Sequence, residues 1–378
     1  MAEDTEIGWT DHTWNPWSGC AKVSEGCKFC YAAASPPSWR RFAIWGDGHP
    51  RILASESYWK EPERWNRRAE KEGKRERVFC ASMADVMEDL ADLDPWRERL
   101  WKLIRATPHL DWLLLTKRPD RMARWARENG WPVNAWAGAS VESQRWEERI
   151  HHLLEVAPDQ EGVIRFLSVE PCLGKVEGIG KYLSKASLGF CPCLLCRGTG
   201  LKNRVPGQLG SGQPGDPPCP DCHRGAVGGI GWVIVGGESG PKARPMHPDW
   251  IRALRDEVVA SEVPFFFKQW GELAPWVNEA HYTHSGEEKH PHFWIDRDTG
   301  ESGLAWIVDG DGTWSNWTGE PPMVDGKLAP SVAILGRHGK DHTGRTLDGR
   351  EWQEFPVSTI PTIPTIPSRN PTLFPFPR

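Results

Sequence analysis

Seven short apolar runs, each ending in polar residues, constrain this fold more than any other feature of the chain. They are EIGWT, RVFCASM, DWLLLTKR, AWAGASVE, RFLSVE, GWVIVGGE and VPFFFKQW. Helical stretches lie among them: PWRERLWKLIRAT, PDRMARWARENG, SQRWEERIHHLLEV and HPDWIRALRDEVVAS. Pro95 and Pro119 stand where a helix starts, and Ser143 stands at a capping position. Strands separated by single helices pair in parallel with right-handed crossovers. The expectation is an α/β fold built as a complete or partial parallel (β/α) barrel.

The polar residues fall in one place relative to these strands. Ser82 and Asp85 follow the second, Thr116, Lys117 and Arg118 the third, and Ser140 and Glu142 the fourth. Ser168 and Glu170 end the fifth, Glu238 and Ser239 the sixth, and Lys268 and Gln269 the seventh. Side chains at the C-terminal ends of parallel barrel strands converge on one mouth, where barrel enzymes do their chemistry. Any strand end turns polar on reaching solvent, but six such ends beside a cysteine loop exceed that explanation. Lys117, Glu170 and Lys268 are the residues expected to act on a substrate there.

The cysteine loop is GCAKVSEGCKFCY, with Cys20, Cys27 and Cys30. Three thiolates satisfy three irons of a cubane [4Fe-4S] cluster and leave the fourth iron open to a ligand that is not protein. Phe29 adds an apolar wall. Two other readings stand beside it: a zinc site with His12 or Cys80 as fourth ligand, and three cysteines buried for packing.

Residues 181–229 interrupt the alternation before the sixth strand. They carry two paired-cysteine knuckles, Cys193 with Cys196 and Cys219 with Cys222. Two knuckles make a closed tetrahedral site for structural Zn2+. Cys191 and His223 are spare ligands nearby, and a disulfide pair or a second cluster is the alternative. The expected organisation is therefore 1–180 for the first part of the barrel with its cluster loop, 181–229 for the zinc insertion, and 230–275 for the last strands. Residues 276–355 form a C-terminal lid or extension, within which GLAWIVDGDGTW reads as a hairpin. Residues 356–378, with their TIPTIPTIP repeat, are a disordered Pro-rich tail.

A formal charge of −5 and a pI near 6.2 argue against a uniformly basic nucleic-acid coat. No apolar stretch reaches the roughly 18 residues of a membrane span, and MAEDTEIGW carries no targeting segment. The cytoplasm is the expected compartment, with ten reduced or metal-bound cysteines. Tryptophan is abundant, with 23 residues, and apolar helix faces explain Trp125, Trp146 and Trp250 better than base stacking does. The basic run RWNRRAEKEGKRER either tracks phosphates or forms a solvated helix face, the second being favoured because it also holds three glutamates.

Three resemblances follow from these motifs. The set TWNPWSGCAKVSEGCKFCY, LLLTKRPDRM, RFLSVEPCLG, VIVGGESGPKARP, PFFFKQWG and GRTLDGREWQEFP resembles a family encoded by phages and bacteria, known as a phage gene product of unassigned function. The C-x-aromatic-C pattern with one cysteine upstream resembles the radical S-adenosylmethionine (SAM) loop, although six residues separate Cys20 from Cys27 where three are usual. That resemblance implies SAM at the open iron, an electron donor as partner, and 5′-deoxyadenosyl radical chemistry. Spore photoproduct lyase is one analogue, and a nucleic-acid base or nucleotide is the implied substrate class. Radical SAM enzymes hold the SAM amine with a Gly-Gly-Glu run after the second strand. Here Gly236-Gly237-Glu238 follows the sixth, so by position Ser82 and Asp85 are the candidates for the amine and carboxylate. Glu238 is left for the ribose hydroxyls or the substrate. The first zinc knuckle resembles the cysteine-rich repeat of the DnaJ chaperones, which implies zinc and not chaperone activity. The competing function is a non-catalytic zinc-binding module for nucleic-acid or protein interaction.

Overall fold

The computed structural model describes residues 5–34, 45–160, 162–184, 229–275, 292–296, 298, 301–307, 314–318, 323–324, 327–328, 332–337 and 343–356. Seven parallel strands form one curled half-barrel sheet in sequential order. They are β1 (His12–Thr13), β2 (Glu76–Cys80), β3 (Leu110–Thr116), β4 (Ala135–Ser140), β5 (Arg165–Val169), β6 (Ile230–Gly236) and β7 (Phe265–Gln269). Helices α1 (Glu61–Glu72), α2 (Asp94–Ala106), α3 (Pro119–Asn129), α4 (Glu148–Leu154) and α5 (Pro248–Ala260) lie between them. Prolines open α2, α3 and α5, where a missing N–H costs nothing. The His247 ring accepts from Asp249 N to cap α5.

The strands are nearly continuous apolar runs because both faces are covered. On β3, Trp112 and Leu114 face the helix layer while Leu113 belongs to a second core inside the curl. The same alternation separates Ala135 and Ala137 from Trp136, Leu167 from Phe166, Val233 from Trp232 and Ile234, and Phe265 and Phe267 from Phe266. Full burial of each large side chain contributes about 1.5–3 kcal/mol. Trp125 and Trp250 are buried in the outer core, and Trp146 packs half-buried against it.

One sequence expectation shifts. EIGWT is a turn, and the first strand is the two-residue pair just after it, with His12 beside Val78. Ile7 and Trp9 of that turn fill the inner core instead. The apolar spacing of a plug and of a strand is the same. Residues 352–354 add antiparallel to the outer edge of β7, with Phe267 N donating to Trp352 O at 2.9 Å. Phe355 packs on Trp232 and Phe266, below the strands.

The chain then forms an antiparallel sheet from β8 (Leu273–Pro275), β9 (His292–Asp296), β10 (Ser302–Ile307), β11 (Trp314–Thr318) and β12 (Val332–Arg337). Its order is β8-β12-β9-β10-β11. The expected hairpin is β10 with β11, Ile307 facing Trp314. Among the described residues no helix is long and apolar enough to cross a membrane.

Candidate functional site

The inner-face alternation changes character toward the C-terminal ends of the strands. Phe79, Leu113, Trp136, Phe166, Trp232 and Phe266 form an apolar floor. Gly138 makes room for it, since a Cβ there would stand 2.2 Å from the Phe166 ring. Further along the strands on the same face come Ser140, Ser168, Glu170 and Lys268, which line a cavity of about 220 Å³ at the mouth. Ser82, Asp85, Lys117 and Glu238 line it too, as do Cys20, Cys27 and Cys30. The structure thus brings every expected site residue of the barrel to one place.

Their engagements differ. Asp85 is surrounded by donors: Thr116 Oγ1 at 2.7 Å, Met87 N at 2.9 Å, Lys117 N at 3.2 Å and Arg118 at 2.8 Å. Both oxygens of Glu238 are held by Arg244, at 2.6 and 2.8 Å. Lys117 Nζ lies 3.6 Å from Glu142. Lys268 pairs with Glu170 at 3.0 Å. The Ser82 hydroxyl meets the Asn15 amide at 3.2 Å.

Three carboxylates fasten the cysteine loop. Glu88 accepts from Ala21 N at 2.7 Å and forms a buried pair with Arg51 at 2.6 Å. Arg118, fixed by Asp85, donates to Ala21 O at 3.0 Å and lies 3.8 Å from the Cys20 sulfur. Glu142, fully buried and paired with Arg149 at 2.7 Å, accepts from Ser24 Oγ at 2.6 Å. Gly26 permits this approach, because a Cβ would stand 2.4 Å from Glu142 Oε1. From the far side Arg244 donates to Glu25 O at 2.9 Å and lies over the Phe29 ring.

Cys20, Cys27 and Cys30 are half-buried free thiols. Burial, then the nearby Asp85 charge, pushes the Cys20 thiol up to about 12 against the pull of Arg118. Such a sulfur stays protonated until a metal displaces the proton. Among the described residues no group of three or more His, Cys, Asp or Glu side chains could hold a single ion. The three thiols line the same cavity. The fourth ligands considered for zinc are elsewhere. His12 is buried against Trp65 and bonded to Glu76 at 2.9 Å, and Cys80 is buried in the outer core. Cys193, Cys196, Cys219 and Cys222 lie outside the described residues.

Residues 4–356 match the family described as Protein of unknown function (DUF5131). The chain belongs to this family. No curated protein and no solved structure matches the DUF5131 chain.

The basic run of this DUF5131 protein covers most of α1 and the start of β2, and five of its basic side chains are paired. Arg68 and Lys74 meet Glu76, Arg75 meets Asp111 at 2.7 Å, and Arg77 meets Asp11 at 3.2 Å. Sequence reasoning missed Arg51, Glu88, Arg149 and Arg244 as holders of the loop. Glu88 and Arg244 sat within reach, three residues after Asp85 and six after Glu238. Arg51 and Arg149 carried no local signal.

Proposed function

We propose that this protein is a radical SAM-like iron–sulfur enzyme acting on a nucleic-acid base or nucleotide. The observation that carries the reading is the meeting of three free thiols and the strand-end polar groups in one cavity. Cys20, Cys27 and Cys30 would hold a [4Fe-4S] cluster, which when bound supplies the single electron for reductive cleavage of SAM. The chain's own part is positional. Glu88, Glu142 and Arg118 fix the loop, the aromatic floor keeps water from the cavity bottom, and Arg118 offsets thiolate charge beside Cys20.

The engagements of the strand-end side chains divide the parts they would play around SAM. Asp85 has its donors already, so its part is to set Arg118 and the start of α3. Ser82, and the backbone beside it, are the better placed groups for the SAM amine. Glu238 likewise has Arg244 on both oxygens, so its part is to set Arg244 against Glu25 O on the cysteine loop. Lys117, Glu170 and Lys268 remain for the substrate. Fold-level analogy adds little to this reading, which rests on the site.

Anaerobic purification with metal and sulfide analysis tests it. A brown protein with about four irons per chain that loses them in each of Cys20→Ala, Cys27→Ala and Cys30→Ala supports the reading. A colourless protein with zinc at both cysteine groups supports the non-catalytic interaction module instead. The insertion zinc is part of the proposal as a structural ion, and removing any of its four cysteines should leave the iron in place.

A further inference from the structure

The hydrogen-bonding pattern at the inner end of the cavity narrows the substrate. Glu170 is its central acceptor, flanked on both sides by donors. Lys268 Nζ lies 3.0 Å from Oε1 and Ser168 Oγ lies 3.4 Å from Oε2. Lys268 keeps further N–H groups beyond the one that meets Glu170. Ser140 adds a hydroxyl on the same wall. Trp9, which belongs to the inner core, also lines the cavity. Phe79 and Leu115 complete an apolar surface beside it. A carboxylate flanked by an ammonium and a hydroxyl therefore stands above a floor suited to a flat ring.

We infer that this end of the cavity binds a pyrimidine through its imide edge, the ring N–H between two carbonyls found in uracil and thymine. The N–H donates to Glu170, and the two carbonyls accept from Lys268 on one side and from the Ser140 hydroxyl on the other. Cytosine offers an amine and an unprotonated ring nitrogen in place of one carbonyl and the N–H, which leaves Glu170 facing a lone pair. Guanine carries two donors beside one carbonyl and leaves donors of the site unmatched. A buried polar group left unpaired is what rejects the wrong base. This inference rests on the reading of the mouth as a base-binding site, and not on any metal in it.

Equilibrium binding of uridine, thymidine, cytidine, guanosine and N3-methyluridine to the anaerobically purified full chain tests it. Uridine or thymidine should bind at least about tenfold tighter than the other three, the discrimination of one well-made base contact. Glu170→Leu and Lys268→Met, checked for folding by circular dichroism, should each erase that preference. Cytidine or N3-methyluridine binding as tightly as uridine, or no uridine binding at all, overturns the inference. Metal analysis of the same preparation separates the two proposals. Imide preference in an iron-free protein sustains this inference and removes the radical SAM reading, and an iron-loaded protein without preference does the reverse.

Discussion

The Ser24 hydroxyl donates to Glu142 Oε1 at 2.6 Å, joining the cysteine loop to the end of β4 across 118 residues. Glu142 is wholly buried and also carries the Arg149 pair. Replacing it by Gln leaves the Arg149 charge uncompensated, and breaking a buried pair costs about 3–5 kcal/mol. Glu142→Gln should therefore lower the melting temperature and the iron content together. Ser24→Ala removes one hydrogen bond to a charged group, about 1.5–3 kcal/mol. Iron retained in full by both variants would separate the clamp from cluster loading.

Asp85 and Arg118 set the Cys20 end of the loop. Asp85→Asn keeps the shape but weakens the hold on Arg118, which touches both Ala21 O and the Cys20 sulfur. The expected result is a stability loss of about 1–3 kcal/mol with reduced iron occupancy. Under a direct SAM-binding role the same variant would keep its iron and lose only SAM affinity, which calorimetry on the loaded protein distinguishes.

Gly138→Ala tests the floor. The added methyl would stand 2.2 Å from the Phe166 ring, so the ring must leave its place among Trp136, Trp232 and Phe266. Overpacking of this kind costs about 1–3 kcal/mol. Chemical denaturation should show that loss, and nucleoside binding should weaken with it because the floor rises into the cavity.

The acid limb of stability should depend on Glu76. Burial alone would raise its carboxyl, but hydrogen bonds from His12, Arg68 and Lys74 outweigh burial and hold it at about 2 against an ordinary 4.5. A carboxyl depressed in the folded state adds stability above its ordinary value and loses it as pH falls through the folded value. The stability gap between the unmodified protein and Glu76→Gln should thus be full at neutral pH and close between pH 4.5 and about 2. A gap independent of pH, by denaturant titration, counts against this network.

The sheet was legible because period-two burial and helix punctuation are local signals. Six of the seven anticipated runs are strands, and β2 to β7 overlap them, with β2, β3 and β6 starting one residue earlier. The mouth followed from topology, since parallel strands place Ser82, Lys117, Glu170 and Lys268 at one end whatever their separation along the chain. EIGWT misled because Ile7 and Trp9 alternate alike in a strand and in a plug. The engagements of Asp85 and Glu238 were not readable, because the arginines that hold them are chosen by three-dimensional packing. The antiparallel sheet from β8 to β12 was seen only as one hairpin.

The two sides of the insertion meet where it leaves the sheet. Ser184 N donates to Ile230 O at 3.1 Å, and Gly229 N donates to Ser184 Oγ at 2.8 Å. The path from β5 to β6 is therefore already closed at Ser184 and Gly229, which make a stitched neck at the base of the insertion. Lengthening a loop whose ends are pinned adds only about 0.6 kcal/mol per doubling. A neck of this kind keeps β5 and β6 neighbours whatever the length of chain between Ser184 and Gly229.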